Sequence, residues 1–284
     1  NKMGGDCLNT GCVPSKALLK SAKVAAQVKK AADFGVETSA PKVHFADVMK
    51  RVHRVIARIE PHDSVERYTG LGVECIQGQA KIRSPFEVEV NGNTLTTQSL
   101  IVATGASPMI PPIPGIENIQ PLTSENLWQL QNQPRRLVVV GGGPIGVELS
   151  QAFQRLGTQV HLVERQERIL KAEDADVAQV IEETLRQEGV ELHLECTAQA
   201  IQVDGTKRSI VIAAKDGENR SLEFDEILFA VGRKANTKGF GLENLGVRLK
   251  EQGGFIEHNE LMATNYPNLL VCGDVAGPYQ FTHM

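Results

Sequence analysis

Cys7 and Cys12 stand five residues apart in Gly4-Gly5-Asp6-Cys7-Leu8-Asn9-Thr10-Gly11-Cys12-Val13-Pro14-Ser15-Lys16. Two cysteines so placed could form a disulfide that opens and closes. The apolar and lysine-bearing run from Ala17 to Ala32 has helical spacing, which predicts that the pair sits at a helix start. On an ideal helix, Cα atoms five residues apart are about 8.6 Å apart, whereas a disulfide needs less than about 7 Å. The pair can bond only if the first turn is distorted, and Gly11 is the residue that permits distortion. A helix N-terminus also favours a thiolate over a thiol. The spacing alone equally suits two ordinary buried cysteines in a glycine-containing loop.

A second group of chemically suggestive residues follows Pro134. The apolar stretch Arg136-Leu137-Val138-Val139-Val140 runs into Gly141, Gly143 and Gly146, a G-x-G-x-x-G pattern. An amphipathic helix to Leu156-Gly157 and a second strand ending in Glu164 come next. Glycines in such a turn let backbone N–H groups and a helix N-terminus approach a pyrophosphate. A carboxylate about 20 residues on accepts hydrogen bonds from an adenine ribose. Glu164 at that place favours NAD(H), and Arg165 and Arg168 beside it leave NADP(H) as the alternative. A plain strand–helix unit without a ligand is the rival reading.

The thirteen-residue cysteine string resembles the redox-active disulfide motif of the flavin-dependent pyridine nucleotide–disulfide oxidoreductases, near G-G-x-C-x-N-x-G-C-x-P-[SK]-K, with every fixed position matched. Dihydrolipoamide dehydrogenase, glutathione reductase and mercuric reductase belong to that family. Ala103-Thr104-Gly105 is similar to its A-T-G segment. Gly232-Arg233, with Ala230 and Asn236, resembles its A-x-G-R-x-x-N segment. Thr264, Leu270 and Gly273-Asp274 match its second flavin motif, with Val271 replacing the usual aromatic. These segments stand in family order and cover essentially the whole chain.

The resemblance implies an α/β fold with two doubly wound, Rossmann-like lobes that bind FAD and NAD(P), the FAD lobe being split in sequence and incomplete. The expected division is 1–117 for the first part of the FAD-binding domain, 118–238 for the NAD(P)-binding domain and 239–284 for the returning FAD-binding part. Cofactor contacts are implied at Gly4, Gly5, Gly11, Thr104, Gly105, Gly232, Arg233, Gly273 and Asp274, beside Gly141, Gly143, Gly146 and Glu164. Asp274 would accept a hydrogen bond from a flavin ribityl hydroxyl. By the same resemblance, hydride would pass between nicotinamide and flavin, and the flavin would exchange electrons with the disulfide. Cys12 would face the flavin as the charge-transfer thiolate, and Cys7 would exchange with the substrate sulfur. Lys16, one helical turn past Cys12, would pair with Glu148 within about 6 Å. Ser15 agrees with the dihydrolipoamide dehydrogenase and mercuric reductase branches.

The family's N-terminal dinucleotide motif and C-terminal dimerisation domain, with its His–Glu pair, are expected outside this sequence, and His283 lies too early to be that histidine. The chain thus reads as truncated at both ends, from an intact protein expected to be a homodimer. Its substrate would be a small-molecule or protein-bound disulfide or dithiol. A mercuric reductase-like enzyme and a catalytically inactive nucleotide-binding fragment are the alternatives.

Composition bounds the partners. The 284 residues are 41% hydrophobic and 23% charged, with net charge −4 and no basic stripe, which argues against nucleic acid. No apolar run reaches about 18 residues, and no signal peptide is visible. Five scattered cysteines are not a secreted framework. Cys75, Cys196 and Cys272 read as buried thiols, and the cytoplasm is the expected compartment. His44, His53 and His62 read as a solvated helix face, and no metal site is expected. Elsewhere the pattern predicts helices over 44–59 and 64–69, a strand over 73–78, a meander to 97, a capped helix start at Thr123, and a helix over 174–188 with Val177, Val180, Ile181 and Leu185 facing inward.

Overall fold

Four short strands, Glu226–Phe229, Arg136–Val140, Gln159–Val163 and Glu191–His193, lie side by side in that order as a parallel sheet. The computed structural model to which they belong describes residues 2–280. His283, with the rest of 281–284, lies outside the described residues. Side chains alternate across the sheet. Leu137, Val139, Val160, Leu162 and Leu228 turn to one face and pack with Phe153 and Leu156 of the helix Pro144–Leu156, and with Leu18 and Ala22 of the helix Cys12–Lys29. Val138, Val140, Val163, Ile227 and Phe229 turn to the other. There they meet Ile201, Ile210, Ile212 and Leu222 of an antiparallel sheet formed by Cys196–Asp204, Lys207–Ala214 and Asn219–Glu223. Cover on both faces is why the central strand Arg136–Val140 reads as a nearly continuous apolar run. The fold class is α/β, as expected.

The chain divides into two compact units. The first, residues 1–64 and 108–232, contains the parallel sheet and its two covering layers. The second, residues 65–107 and 233–284, contains the antiparallel meander Lys81–Ser84, Glu87–Val90, Asn93–Thr96 and the parallel pair Leu100–Val102 and Leu269–Val271. Its core gathers Ile82, Val102, Leu242, Ile256, Leu269 and Val271. No helix among the described residues is long and apolar enough to cross a membrane.

Several elements differ from their sequence patterns. Residues 73–78 form no strand, and Val73 and Ile76 are exposed; alternation sets a strand only where a neighbouring ladder takes up its backbone groups. At Thr123 the side chain of Asn126 closes a turn instead of capping a helix. Its Oδ1 accepts from the Thr123 N–H at 2.7 Å and its Nδ2 donates to the Pro121 carbonyl at 3.0 Å, and only the short 3-10 turn Leu127–Gln129 follows. The helix Ala175–Gln187 buries Ala178 and Leu185 and leaves Val177 and Val180 at 52% and 61% exposure. The stripe through 178, 181 and 185 faces the core, and Val177 and Val180 lie about 100° round from it. Of the three thiols expected to be buried, Cys196 is, Cys75 is half-buried and Cys272 is exposed. His53 is held by the helix Phe45–Ile59, with its Nε2 3.1 Å from the Trp128 carbonyl.

At the sheet edge, His161 and His193 meet edge to edge, with ring centroids 5.4 Å and facing nitrogens 3.2 Å apart. Burial pushes both imidazoles below the ordinary histidine pKa, with Glu191 opposing the shift in each. His161 adds to the lowering in His193, as do Arg220 and Arg186. A histidine kept neutral when folded takes a proton more readily when unfolded. Its stabilising contribution is therefore complete above the unfolded value, about 6.5, and is lost as pH falls toward the lower folded value. The urea midpoint is expected to drop between pH 7 and pH 5. In a His161→Asn, His193→Asn variant that drop should be smaller, measured by equilibrium unfolding at each pH.

Candidate functional site

The helix expected to be distorted at the cysteines is broken outright. Cys7 lies in the short helix Gly5–Asn9, which begins at the Gly4-Gly5 pair, and Cys12 opens the separate helix Cys12–Lys29. Between them the Thr10 and Gly11 N–H groups both donate to the Asp6 carbonyl, at 2.9 and 2.5 Å. Gly11 adopts φ −115°, ψ −109°, and a Cβ there would come within 3.0 Å of the Asp6 oxygen. Asn9 donates through Nδ2 to the Met3 and Gly5 carbonyls, both at 2.9 Å. Trp128 donates through Nε1 to the Thr10 carbonyl at 3.0 Å and to that of Ser124 at 2.7 Å. The loop between the cysteines is thus held by its own backbone and by two side chains.

One turn beyond Cys12, Lys16 Nζ lies 2.7 Å from both carboxylate oxygens of Glu148. Glu148 projects from the helix Pro144–Leu156. Fully buried Ala22 and Ala152 lie in the cluster that joins the two helices, and residues this small let helix axes approach closely. The ion pair itself is 61% exposed at the lysine and 38% at the glutamate. A pair that open contributes only about 0.2–1 kcal/mol, so its effect is to place the ammonium rather than to hold the helices.

The glycine turn joins Arg136–Val140 to Pro144–Leu156, and its three glycines answer different needs. At Gly141 (φ +112°) a Cβ would overlap the Ala230 carbonyl oxygen, and at Gly146 it would overlap that of Gly141. Gly143 opens the helix, with Pro144 following, and has no atom within 4 Å of the place a Cβ would take. An uncrowded backbone at a helix N-terminus suits an anion such as a pyrophosphate. Glu164 follows the second strand. Its Oε2 accepts from the Gly142 N–H at 2.6 Å and its Oε1 from the Gln166 N–H at 2.8 Å, which docks the carboxylate on the turn. Arg168 donates to the carbonyls of Leu170, Lys171 and Glu173, and Arg165 is exposed.

A separate cluster belongs to the second unit. The parallel strands Leu100–Val102 and Leu269–Val271 end at Thr104-Gly105 and Gly273-Asp274; ligands gather at this end of parallel strands. Thr104 Oγ1 donates to the Asn236 carbonyl at 2.7 Å, and Asn236 Nδ2 returns a bond to the Thr104 carbonyl at 3.0 Å. The Asn236 N–H donates to the Gly105 carbonyl at 3.0 Å. Arg233 donates to the Ala106 carbonyl, and its Nε lies 3.3 Å from Asp274 Oδ2. Gly105 and Gly273 both have positive φ with open space beside them. Gly232, in the first unit, accepts from the Met109 N–H at 2.9 Å.

Sequence reasoning did not name Asn9, Trp128 or Asn236 as site residues. Asn9 and Asn236 were legible as fixed motif positions, and Trp128 only as the one tryptophan. It also missed the meeting of His161, Glu191 and His193, whose ligand atoms all lie within 4.8 Å of one another. No linear spacing signals that group, because it depends on strand register.

The family described as pyridine nucleotide-disulphide oxidoreductase matches residues 2–284. A mercuric reductase of Staphylococcus aureus is 33% identical over 99% of this chain and 51% of its own. A dihydrolipoyl dehydrogenase of Acholeplasma laidlawii is 37% identical over 99% of this chain and 82% of its own. The solved structure of the HOCl-induced flavoprotein disulfide reductase RclA from Escherichia coli, as a Cu(II) complex, superposes with TM-score 0.84 at 27% identity, covering 99% of this chain and 60% of that one. The chain spans about half the length of the mercuric reductases it matches.

The glycine geometry separates two substitutions. Gly146→Ala should lower stability by about 1–3 kcal/mol through overpacking against the Gly141 carbonyl. Gly143→Ala meets no protein atom and should stay within about 0.5 kcal/mol of the parent while weakening nucleotide binding. Denaturant unfolding and calorimetric titration with NADH read the two effects.

Proposed function

Because the chain belongs to the pyridine nucleotide-disulphide oxidoreductase family, we propose that it is the core of a flavin-dependent NAD(P)H:disulfide oxidoreductase, most like dihydrolipoamide dehydrogenase. The observation that carries this reading is the helix break between Cys7 and Cys12, with the Lys16 ammonium fixed one turn on. A continuous helix would hold the two thiols too far apart to bond.

The residues present fit both cofactors. Gly143 and the helix N-terminus take a pyrophosphate, and Glu164 takes the ribose hydroxyls. Glu164 docked on the turn, and Arg168 engaged with three carbonyls, favour NAD(H) over NADP(H). Thr104, Gly105, Arg233, Gly273 and Asp274 serve FAD, with Asp274 as acceptor for a ribityl hydroxyl. Residues 118–238 form the NAD(H)-binding part, and 1–117 with 239–284 contribute to the FAD-binding part. Bound FAD supplies two-electron transfer between nicotinamide and disulfide.

In the reduced pair the Cys7 thiolate attacks a substrate disulfide, forming a mixed disulfide and releasing one substrate thiolate. Cys12 then attacks Cys7, the Cys7–Cys12 bond forms, and the second substrate sulfur leaves with its electron pair. Lys16, held by Glu148, keeps positive charge beside Cys12. The substrate is a small-molecule or protein-bound disulfide or dithiol, the intact protein is a homodimer, and its compartment is the cytoplasm. A mercuric reductase-like activity is the second reading, supported by mercuric reductases at 33% and 34% identity.

Five cysteines make the test direct. Protein denatured as isolated should titrate three thiols, and protein incubated with FAD and NADH while folded, then denatured, should titrate all five. An unchanged count would leave a nucleotide-binding fragment without redox activity. Cys12→Ser should abolish NADH-driven disulfide reduction. Glu148→Gln should slow it by roughly 10²-fold, in the range of lost electrostatic positioning, with less than about 1 kcal/mol of stability lost. Rates with lipoamide, oxidised glutathione and Hg(II) separate the two enzyme readings.

A further inference from the structure

We propose that His161, Glu191 and His193 form a site for a divalent transition metal of the zinc type, which ties the edge strand Glu191–His193 to the strand Gln159–Val163. The two strands run parallel, with His161 opposite Glu191 and Val163 opposite His193. This register brings three donor atoms together. His161 Nδ1 lies 3.2 Å from His193 Nε2 and 3.3 Å from Glu191 Oε2, and all three lie within 4.8 Å of one another. Zinc binds nitrogen and oxygen at about 2.0–2.2 Å in tetrahedral geometry, which sets neighbouring ligand atoms about 3.3–3.5 Å apart. Two of the three edges already have nearly that length.

The imidazole centroids are 5.4 Å apart and the two nitrogens only 3.2 Å, so each nitrogen lies on the edge that faces the other ring. One N–H···N hydrogen bond links the two rings, and an ion would need a small rotation of either ring to receive both lone pairs. If His161 Nδ1 carries the proton, it donates to Glu191 or to His193 but not well to both. If His193 Nε2 donates instead, the Glu191 carboxylate faces a lone pair. A cation satisfies all three donors together.

The surroundings support the ligand set. Gln159 Nε2 donates to Glu191 Oε1 at 3.2 Å, which orients the carboxylate and leaves Oε2 toward the histidines, as partners of metal ligands commonly do. The two arginines whose charge acts on His193 are engaged with other carboxylates: Arg186 with Glu182 at 2.9 Å and Arg220 with Glu218 at 3.3 Å. His161 is buried, and Glu191 reaches the surface, which gives the ion a way in. Two imidazoles and one carboxylate leave a fourth position for water, a set that suits Zn(II) and, by the usual affinity order, Cu(II). The His193 carbonyl accepts the Glu164 N–H at 2.9 Å, so the ion would also steady the strand end beside the glycine turn.

The test is titration of the chelator-treated protein, oxidised so that Cys7 and Cys12 are not competing thiolates, with Zn(II) and with Co(II). One equivalent should bind, and Zn(II) should raise the thermal midpoint. The Co(II) form should show visible bands of nitrogen and oxygen ligation without a thiolate charge-transfer band. His193→Asn should remove binding, and Glu191→Gln, at an exposed position, should weaken it about 10–100-fold. Circular dichroism checks that both variants fold. A thiolate band, substoichiometric binding, or full affinity in folded Glu191→Gln and His193→Asn proteins would each overturn the assignment.

Discussion

The close seat of the helix Pro144–Leu156 on its own glycine turn is the constraint from which the rest of the first unit follows. No side chain fits between Gly146 and the Gly141 carbonyl, or between Gly141 and the Ala230 carbonyl. With both contacts made by bare backbone, the helix lies tight against the sheet, and its N-terminus opens at Gly143. The same helix carries Glu148, so its position also decides where the Lys16 ammonium rests and how the cysteine-bearing helix docks. One steric requirement thereby sets both the open helix N-terminus at Gly143 and the carboxylate that meets Lys16 on a single element.

The second unit solves a different problem. Arg233 and Asp274 are mostly buried, with their side chains 11% and 23% exposed. Removing one partner from such a pair is far more costly than opening a surface pair, because it leaves a desolvated charge. The exchange between Thr104 and Asn236 closes the same strand ends by hydrogen bonds that satisfy backbone carbonyls. Polar groups near those ends are therefore fixed in direction before any ligand arrives, which is the usual condition for selective recognition.

Much of this was legible in the sequence because it is local. The strand–glycine–helix–strand text fixes its own geometry, since its strands are covered on both faces and written largely in apolar residues, and its helix shows one apolar face. The cysteine string announces a break because an unbroken helix cannot bring the two sulfurs together. The misread segments share one cause. Residues 73–78 have strand alternation but no ladder, Thr123 has a capping residue whose partner is a turn, and Val177 and Val180 have helical spacing one position away from the buried stripe. In each, the outcome depends on what lies across space. The trio of His161, Glu191 and His193 is the limiting example, for it exists only in the register of two strands separated by a helix.

The hydrogen bond from Trp128 to the Thr10 carbonyl has an optical consequence. The chain contains one tryptophan, and its indole N–H is bound to the backbone segment lying between Cys7 and Cys12. Indole emission responds to the polarity and strength of hydrogen bonding at that nitrogen. On the proposed function, movement of the loop as its sulfurs join or part would be written into the emission of the one tryptophan. The indole would then give a label-free reading of the state of the cysteine pair.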